Sequence, residues 1–269
     1  MPGRRGSKWF CHLCRVGIAS LALMYMLMGV LTCMAALGLG GAKVDQSGLF
    51  PFLFKQPLGR LGLGLLALGM AAYVLWRLVQ AWADPAHYGL GPKGICLRGC
   101  FLISAGIYAS MTAYALQMVW DGRPHHVPEN IPLMVGTLLQ RPYGRFWVGL
   151  VAVAISIVAI VQFYRAATER FRRQIPDPGI NRRHSVLIRW TGRLGFTARG
   201  VMLMTVAWLF IRSALHANPR EAGGVKRAWD FLEAGPSGHV ALAAVACGLA
   251  VYGFFLAIKA WGLQRGLQG

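Results

Sequence analysis

The fold of this chain is constrained most by long segments that contain no Asp, Glu, Lys or Arg. An α-helix rises about 1.5 Å per residue, so about 20 apolar residues cross the roughly 30 Å hydrocarbon core of a bilayer. Segments of this length and composition predict membrane-spanning helices. Four of them run from Val16 to Leu39, from Gly99 to Trp120, from Phe146 to Tyr164 and from Gly235 to Ile258.

Two further apolar segments are interrupted by arginine. Residues 61–76 lie between Arg60 and Arg77, and residues 194–216 include Arg199 and Arg212. An arginine near the end of a span can place its head group at the interface, so these interruptions do not exclude a span. Only 14% of the residues are charged, against about 25% in soluble domains. The sequence predicts an all-α integral membrane bundle of six transmembrane helices at 16–39, 58–83, 95–120, 144–167, 191–216 and 238–262.

The net charge of +19 is distributed unevenly along the chain. If the N-terminus is cytoplasmic, most of the 28 Lys and Arg fall in cytoplasmic segments, and the positive-inside rule then favours both termini inside. These charges lie beside the spans, where anionic phospholipid headgroups are the nearest partner and nucleic acid is not expected. The segment after the fourth helix is expected to anchor at the lipid surface, or to dock a partner protein, through Arg165, Arg170, Arg172 and Arg173.

A three-residue pattern recurs before each even-numbered span. Pro57-Leu-Gly59, Pro142-Tyr-Gly144 and Pro236-Ser-Gly238 share the order Pro-x-Gly and precede a basic residue. Proline is well placed at a helix start, where its missing N–H has no partner to lose. Twenty-three residues beyond each proline lie Gln80, Arg165 and Lys259, each followed by alanine.

The pattern divides the chain into three two-helix units. We place them at residues 16–87, 88–175 and 190–264, with basic segments at 1–15 and 176–189. Each unit contains two spans, so all three insert with the same orientation, and parallel repeats are related by an axis along the membrane normal. A roughly three-fold bundle of helical hairpins is therefore expected.

The first helices of the units can also be aligned. If Gly17, Gly94 and Gly195 are matched, Leu97-Arg98-Gly99 falls opposite Ala198-Arg199-Gly200, and the first unit has Leu21 in place of the arginine. This asymmetry predicts that any functional site lies between the second and third units rather than on the symmetry axis.

The chain resembles the domain of unknown function 1206 family in three features. These are the glycine and Ala-Arg-Gly of an odd-numbered span, the Pro-x-Gly turn and the segment from Tyr73 to Pro85. The similarity extends from about Cys14 to Leu263. The resemblance implies a bacterial membrane protein of three tandem two-helix units, located in the inner membrane. It implies no activity.

Arginines within spans are the main candidates for a binding site, because charged residues there are costly and usually mark a site or reach the interface. We expect an anion or headgroup site lined by Arg98 and Arg199, with Gln80 and Arg77 beside it. Gly99 and Gly200 would let a neighbouring helix approach closely. In the alternative interpretation both arginines lie within a turn or two of the cytoplasmic end and only anchor the helices.

Other motifs give weaker indications. Cys11 and Cys14 form a C-x-x-C, but position 15 is arginine, which excludes a c-type haem motif, and two further zinc ligands are missing. His125-His126 has no third ligand nearby in the sequence, and Asp84-Pro85 is more typical of a helix end than of a partner for Arg77. We expect neither a metal nor a cofactor.

The sequence contains no catalytic motif of the kinds that mark hydrolases, metalloproteases or phosphate-binding loops. We therefore expect a protein that is not an enzyme, acting as a structural, accessory or lipid-interacting membrane component. The alternative is a carrier or channel for a small solute or anion, with its site near Arg98 and Arg199. Arginines that face the bundle interior around a cavity would favour the carrier or the headgroup site, and arginines that face the lipid would favour anchoring alone.

Overall fold

The computed structural model describes residues 4–83, 91–124, 130–169 and 182–265, and all regular structure in these ranges is helical. A 3₁₀ turn at Pro219–Glu221 precedes the eighth α-helix. The α-helices are α1 (Arg4–Ala36), α2 (Leu49–Phe54), α3 (Gly59–Trp82), α4 (Pro92–Asp121), α5 (Asn130–Leu139), α6 (Gly144–Thr168), α7 (Arg182–His216), α8 (Val225–Glu233) and α9 (Gly238–Arg265).

Six helices of the described chain are long and apolar enough to cross a membrane, which confirms the predicted all-α bundle. They are α1, α3, α4, α6, α7 and α9. The segment interrupted by Arg199 and Arg212 is one continuous helix, with its span at Val186–His216. The start of α1 and the end of α9 lie on one face of the bundle, here called the terminal face, and the described connections within the units lie on the other, the loop face.

A short helix that the sequence patterns did not predict precedes the second span of every unit. α2, α5 and α8 lie at the loop face, and each ends in the Pro-x-Gly turn. The middle residues Leu58 and Tyr143 adopt left-handed φ values of 61° and 63°. The turn is closed by a hydrogen bond from the glycine N–H to the carbonyl three residues earlier, at 2.8 to 3.0 Å in all three units.

The glycine of this turn is required by a close backbone approach. A Cβ on Gly59 would come within 2.1 Å of the Leu53 carbonyl oxygen, and the corresponding distances at Gly144 and Gly238 are 2.2 and 1.7 Å. Only glycine leaves room for the last turn of the short helix to fold back on the start of the span. The repeated motif therefore encodes a repeated corner.

The six spans form a ring in the order α1, α3, α4, α6, α7, α9, and successive units pack against each other at three similar interfaces. These pair α9 with α1, α3 with α4, and α6 with α7. At the first, Gly29 approaches the backbone of Ala250, and Gly253 approaches the backbone of Met26. Small residues at such interfaces let helices come close enough for van der Waals packing and backbone contact.

In the first unit and in the third, the two spans of the unit pack against each other. Gly17 of α1 lies against the backbone of Tyr73 in α3, and Gly195 of α7 lies against the backbone of Tyr252 in α9 in the same way. A second pair of glycines, Gly69 and Gly248, makes the next contact along the same interface.

The two spans of the second unit do not pack against each other. Over the described residues α4 and α6 share at most a marginal contact, while α4 packs on α3 and α6 on α7. Only 17% of the span of α4 and 22% of that of α6 are buried at their most apolar stretches, against 39 to 50% in the other four. The expected three-fold bundle is therefore an incomplete ring with an opening between α4 and α6.

The fourth span ends within one residue of its predicted end. α6 stops at Thr168, and Glu169 after it takes a left-handed φ of 53°. The Glu169 carboxylate accepts a hydrogen bond from Arg189 at 2.5 Å and lies 3.8 Å from Arg193. Glu169 thus links α6 to α7.

Candidate functional site

Arg199 lies inside the bundle and not at a helix end. It follows Val186, the first residue of its span, by 13 residues, or about 20 Å of helix. Its Nη1 donates a hydrogen bond to the Tyr252 hydroxyl. Its guanidinium carbon is 5.3 Å from the ring centre of Tyr25 and 5.1 Å from that of Tyr252. The expectation that Arg199 sits near the end of its span is wrong, because its partners are at mid-span on α1 and α9.

Four buried tyrosines surround this arginine, and with it they form the central cluster, made of Tyr25, Tyr73, Tyr108, Tyr252 and Arg199. The rings of Tyr25 and Tyr252 are 5.1 Å apart and those of Tyr73 and Tyr108 are 4.9 Å apart, both edge to face. The hydroxyl groups of Tyr25 and Tyr108 lie within electrostatic range of each other. A cation on such rings gains about 2 kcal/mol when desolvated.

The connection between α1 and α2 covers the central cluster from the loop face. The Gln46 side-chain amide donates a hydrogen bond of 2.9 Å to the Tyr25 hydroxyl. Tyr25 precedes the end of α1 at Ala36 by 11 residues, or about 16 Å of helix. The connection therefore turns back into the bundle and does not remain at the surface.

This connection is fastened to α8 of the third unit. The Lys43 ammonium donates hydrogen bonds to Asp230 at 2.5 Å and Glu233 at 2.6 Å. These two carboxylates raise the pKa of Lys43 above its ordinary value. The buried Trp229 indole donates to the Val44 carbonyl at 3.1 Å. The first and third units are thereby joined at the loop face as well as through α1 and α9.

Arg77 extends the site toward the terminal face. Its Nε donates a hydrogen bond of 2.7 Å to the Tyr73 hydroxyl, and its Nη1 donates one of 3.0 Å to the Gln80 side chain. The guanidinium also lies 5.3 Å from the ring centre of Phe101 on α4. The structure thus brings together two of the expected site residues, Arg77 and Gln80, and connects them to the central cluster through Tyr73.

A third source of positive charge is Lys259 of α9. This half-buried ammonium lies within the electrostatic range of Arg77 from α3 and Arg165 from α6, both of which repel it. We call Arg77, Arg165 and Lys259 the basic group. Arg165 and Lys259 occupy the same repeat position, so the repeat itself directs positive charge to one region of the terminal half of the bundle.

Arg98 is placed differently from Arg199. It is half-buried near the start of α4 and precedes Tyr108 of the central cluster by ten residues, or about 15 Å of helix. Gly99 beside it faces open space, whereas Gly200 packs against the ring of Phe163. The two arginines are not brought together. The central cluster draws on all three units, with Tyr108 contributed by the second. The expected position between the second and third units stays a prediction.

The charge of these groups is not balanced by carboxylates of the spans. The six spans contain one acidic residue, Asp121, which is the last residue of the third span on the loop face. Glu169, just beyond α6, pairs with Arg189 and Arg193. The interior around Arg199, Arg77 and Lys259 is therefore electropositive and rich in hydroxyl and guanidinium donors, which is the chemistry of an anion site.

Several residues singled out in the sequence do not join this site. Cys14 is buried beside Lys259. In the part of the chain that the structure describes, no three His, Cys, Asp or Glu side chains come together as metal ligands. The side chain of Cys11 lies outside the described residues, as do Asp84, His125, His126, Arg170, Arg172 and Arg173.

The sequence interpretation missed Tyr108, Gln46 and Lys259 as parts of the site. A signal was present, because Tyr25, Tyr73 and Tyr252 lie near the middle of their spans, whereas interfacial aromatics collect at the ends. Trp82 and Trp120, at 85% and 87% exposed, show the interfacial arrangement.

Comparison with known families identifies the repeat. The model described as "Domain of Unknown Function (DUF1206)" matches residues 16–84, 100–169 and 194–262. The chain belongs to this family. A relative from Bacillus subtilis (strain 168), the uncharacterized protein YxxB, is 29% identical over 251 residues, which cover 93% of this chain and 90% of the relative. No solved structure shows significant similarity to the chain.

The segments matched to the DUF1206 family also fix the register of the repeat. Arg199 lies five residues beyond the start of the third segment, whereas Arg98 lies two residues before the start of the second. Each of the ring pairs Tyr25–Tyr252 and Tyr73–Tyr108 joins the first span of one unit to the second span of the preceding unit, counted around the ring. Matching these two pairs gives the same register to within one residue. Arg98 is therefore not the repeat counterpart of Arg199. Neither the family description nor the relative's name states an activity.

Proposed function

We propose that this protein is a non-catalytic membrane component that binds the anionic phosphate of a membrane phospholipid inside its bundle. The observation that carries the proposal is the half-buried Arg199, held by tyrosines at mid-span, with the basic group beside it and no carboxylate in the spans nearby. The Arg199 and Arg77 guanidinium groups are the phosphate ligands, with Lys259 and Arg165 as supporting charges.

The energetic argument concerns the cost of positive charge in the bilayer. One charged side chain at the centre of a transmembrane helix costs about 2.5–3.5 kcal/mol. Tyrosine rings and hydroxyls offset part of this cost for Arg199, but neither a ring nor a hydroxyl neutralises the charge. A phosphate does so and accepts paired N–H donors from a guanidinium. It also removes the mutual repulsion of Lys259, Arg77 and Arg165.

The opening between α4 and α6 supports a lipid as the source of the phosphate. Val158 on this side of α6 is 47% exposed, and Gly99 and Gly106 of α4 face open space. A lipid can enter laterally through such an opening with its chains left in the bilayer. We infer that the terminal face is cytoplasmic, where anionic lipids attract the juxtamembrane arginines by about 1 kcal/mol each.

Mass spectrometry of the protein in mild detergent tests this proposal. We expect the wild-type protein to keep bound phospholipid through graded delipidation. Arg199→Gln should lower the amount of phospholipid retained about tenfold, which is the effect of losing one hydrogen bond to a charged group. Arg227→Gln, which removes the same charge from the exposed surface of α8, is the matched control. Wild-type protein that retains no phospholipid, or a folded Arg199→Gln protein that retains as much, would contradict the proposal.

A carrier for small anions is the second candidate, and the position of the central cluster favours it. Binding sites of transporters lie near the bilayer midplane, and the Gln46 connection covers the cluster from the loop face. A carrier moves a soluble anion such as phosphate into liposomes that contain the purified protein, with uptake reduced by Arg199→Gln. A binding protein for lipid gives no uptake above that of protein-free liposomes.

A further inference from the structure

A lateral groove of about 820 Å³ opens between the short helix and the spans at the loop face of the second unit. We propose that it is a second lipid site, in which a phospholipid of the loop-face leaflet places an acyl chain while Arg141 binds its phosphate. This site is separate from the one inside the bundle and does not depend on the proposed function. The groove is lined by Ile131, Met134, Val135, Thr137, Leu138, Arg141, Pro142, Trp147, Val151 and Phe210.

The depth of the groove matches the shape of a phospholipid. Arg141 lies in the turn between α5 and α6, at the level where the span begins. Val151 is seven residues into α6, or about 10 Å deeper, and Phe210 precedes the end of α7 by six residues, or about 9 Å. The lining therefore changes from a cation at the headgroup level to apolar side chains in the hydrocarbon region.

The second unit has this groove because its short helix does not fill the space below it. In the first and third units the short helices are inserted, and Phe50 of α2 and Trp229 of α8 are completely buried. In α5 only Val135 is buried among the described side chains, while Leu133 and Met134 are 69% and 67% exposed. Gly136 of α5 rests instead on Pro219 of the 3₁₀ turn.

Charge favours a phospholipid over an uncharged occupant. Arg141 is exposed at the mouth, and none of the described residues that line the groove is a carboxylate. A volume of this size is in the range of sites that bury most of a small ligand. A transmembrane helix of another protein, or a second copy of this chain, would bring polypeptide rather than phosphate to Arg141.

Photocrosslinking tests the site in liposomes of phosphatidylglycerol that carry a diazirine near the middle of one acyl chain. We expect crosslinks to concentrate on Met134, Val151 and Phe210. Val151→Trp fills the groove and should reduce these crosslinks about tenfold, while Val153→Trp, on the exposed side of α6 outside the groove, should not. Arg141→Gln should reduce them about fivefold, as for one interfacial basic contact, and Arg145→Gln should leave them unchanged.

Three results would overturn the inference. Crosslinks spread evenly over the exposed faces of α4 and α6 would show ordinary bilayer contact. Crosslinks unaffected by Val151→Trp would show that the acyl chain does not bind in the groove. Protein-to-protein crosslinks at Met134 in place of lipid adducts would assign the groove to a polypeptide. Arg199→Gln is expected to leave the crosslinks unchanged, so the two lipid sites succeed or fail separately.

Discussion

The two spans pack against each other in the first and third units but not in the second, although all three units have the same sequence motif at the loop-face corner. We call the first and third units closed and the second open. The closed units place glycine and tyrosine at two positions of their second span, Gly69 and Tyr73 in one and Gly248 and Tyr252 in the other. The equivalent residues in α6 are alanine and Val158, which is 47% exposed. α6 therefore lacks the two residues that contact the first span in the closed units.

The comparison shows that the interfaces between units are present all around the described bundle, whereas the interface inside a unit is missing from the second. Ala67, Ala152 and Ala246 occupy one repeat position, and all three are completely buried at an interface between successive units. The interfaces inside the first and third units join these between-unit pairs into one bundle. The candidate anion site includes residues of all three units, and the lateral groove lies at the second.

The largest expected difference between the units is at their short helices. Trp229→Ala removes a completely buried indole from α8 and should lower the free energy of unfolding by about 3–5 kcal/mol. Leu133→Ala in α5 should have almost no effect, because Leu133 is 69% exposed. Thermal unfolding in detergent measures both. Similar losses for the two variants would show that α5 is packed as tightly as α8.

The next largest effect is expected at the glycines of the closed units. A Cβ on Gly195 would come within 2.7 Å of the Tyr252 backbone, so Gly195→Leu should cost about 1–3 kcal/mol through overpacking. Gly106→Leu in the open unit meets no atom within 4 Å and should gain up to about 1 kcal/mol from helix propensity. Melting temperatures that fall equally in both variants would mean that α4 is enclosed.

The smallest effect is expected at the loop-face ion pairs between the closed units. Lys43→Met breaks the contacts with Asp230 and Glu233, which are partly exposed, and should cost about 0.5–1 kcal/mol. Because the pKa of Lys43 is raised, its contribution is complete at neutral pH and is lost only as pH rises through that raised value. Lys55→Met, an exposed lysine at the end of α2, is the control. Equal stability of the two variants from pH 7 to 9 would show that the Lys43 ion pairs do not stabilise the protein.

The sequence was sufficient to predict the spans and the repeat, because both depend on local composition and spacing. It could not show which face of each span points inward. Lipid and protein interior are both apolar, so a transmembrane helix lacks the polar face that marks the exposed side of a soluble helix. For this reason the match between Arg98 and Arg199 was credible, although the two residues lie at different depths.

The short helix α8 could have been found from its pattern. Ala228 and Trp229 form an apolar pair between the charged residues Lys226, Arg227 and Asp230, which is typical of an amphipathic surface helix. The opening in the second unit was not predictable from one unit alone. It follows from Val158 taking the place of a tyrosine, and the role of that tyrosine becomes visible only where Tyr73 and Tyr252 meet Gly17 and Gly195.

The central claim, that the bundle interior binds a phospholipid phosphate at Arg199, is tested most directly by lipid-dependent stability of delipidated protein. The Val151→Trp background fills the lateral groove and isolates the interior site. Added phosphatidylglycerol should raise the melting temperature of this protein, since a ligand that binds only the folded state stabilises it, and the increase should disappear when Arg199→Gln is added but persist with Arg227→Gln. An equal increase with and without Arg199 would contradict the claim.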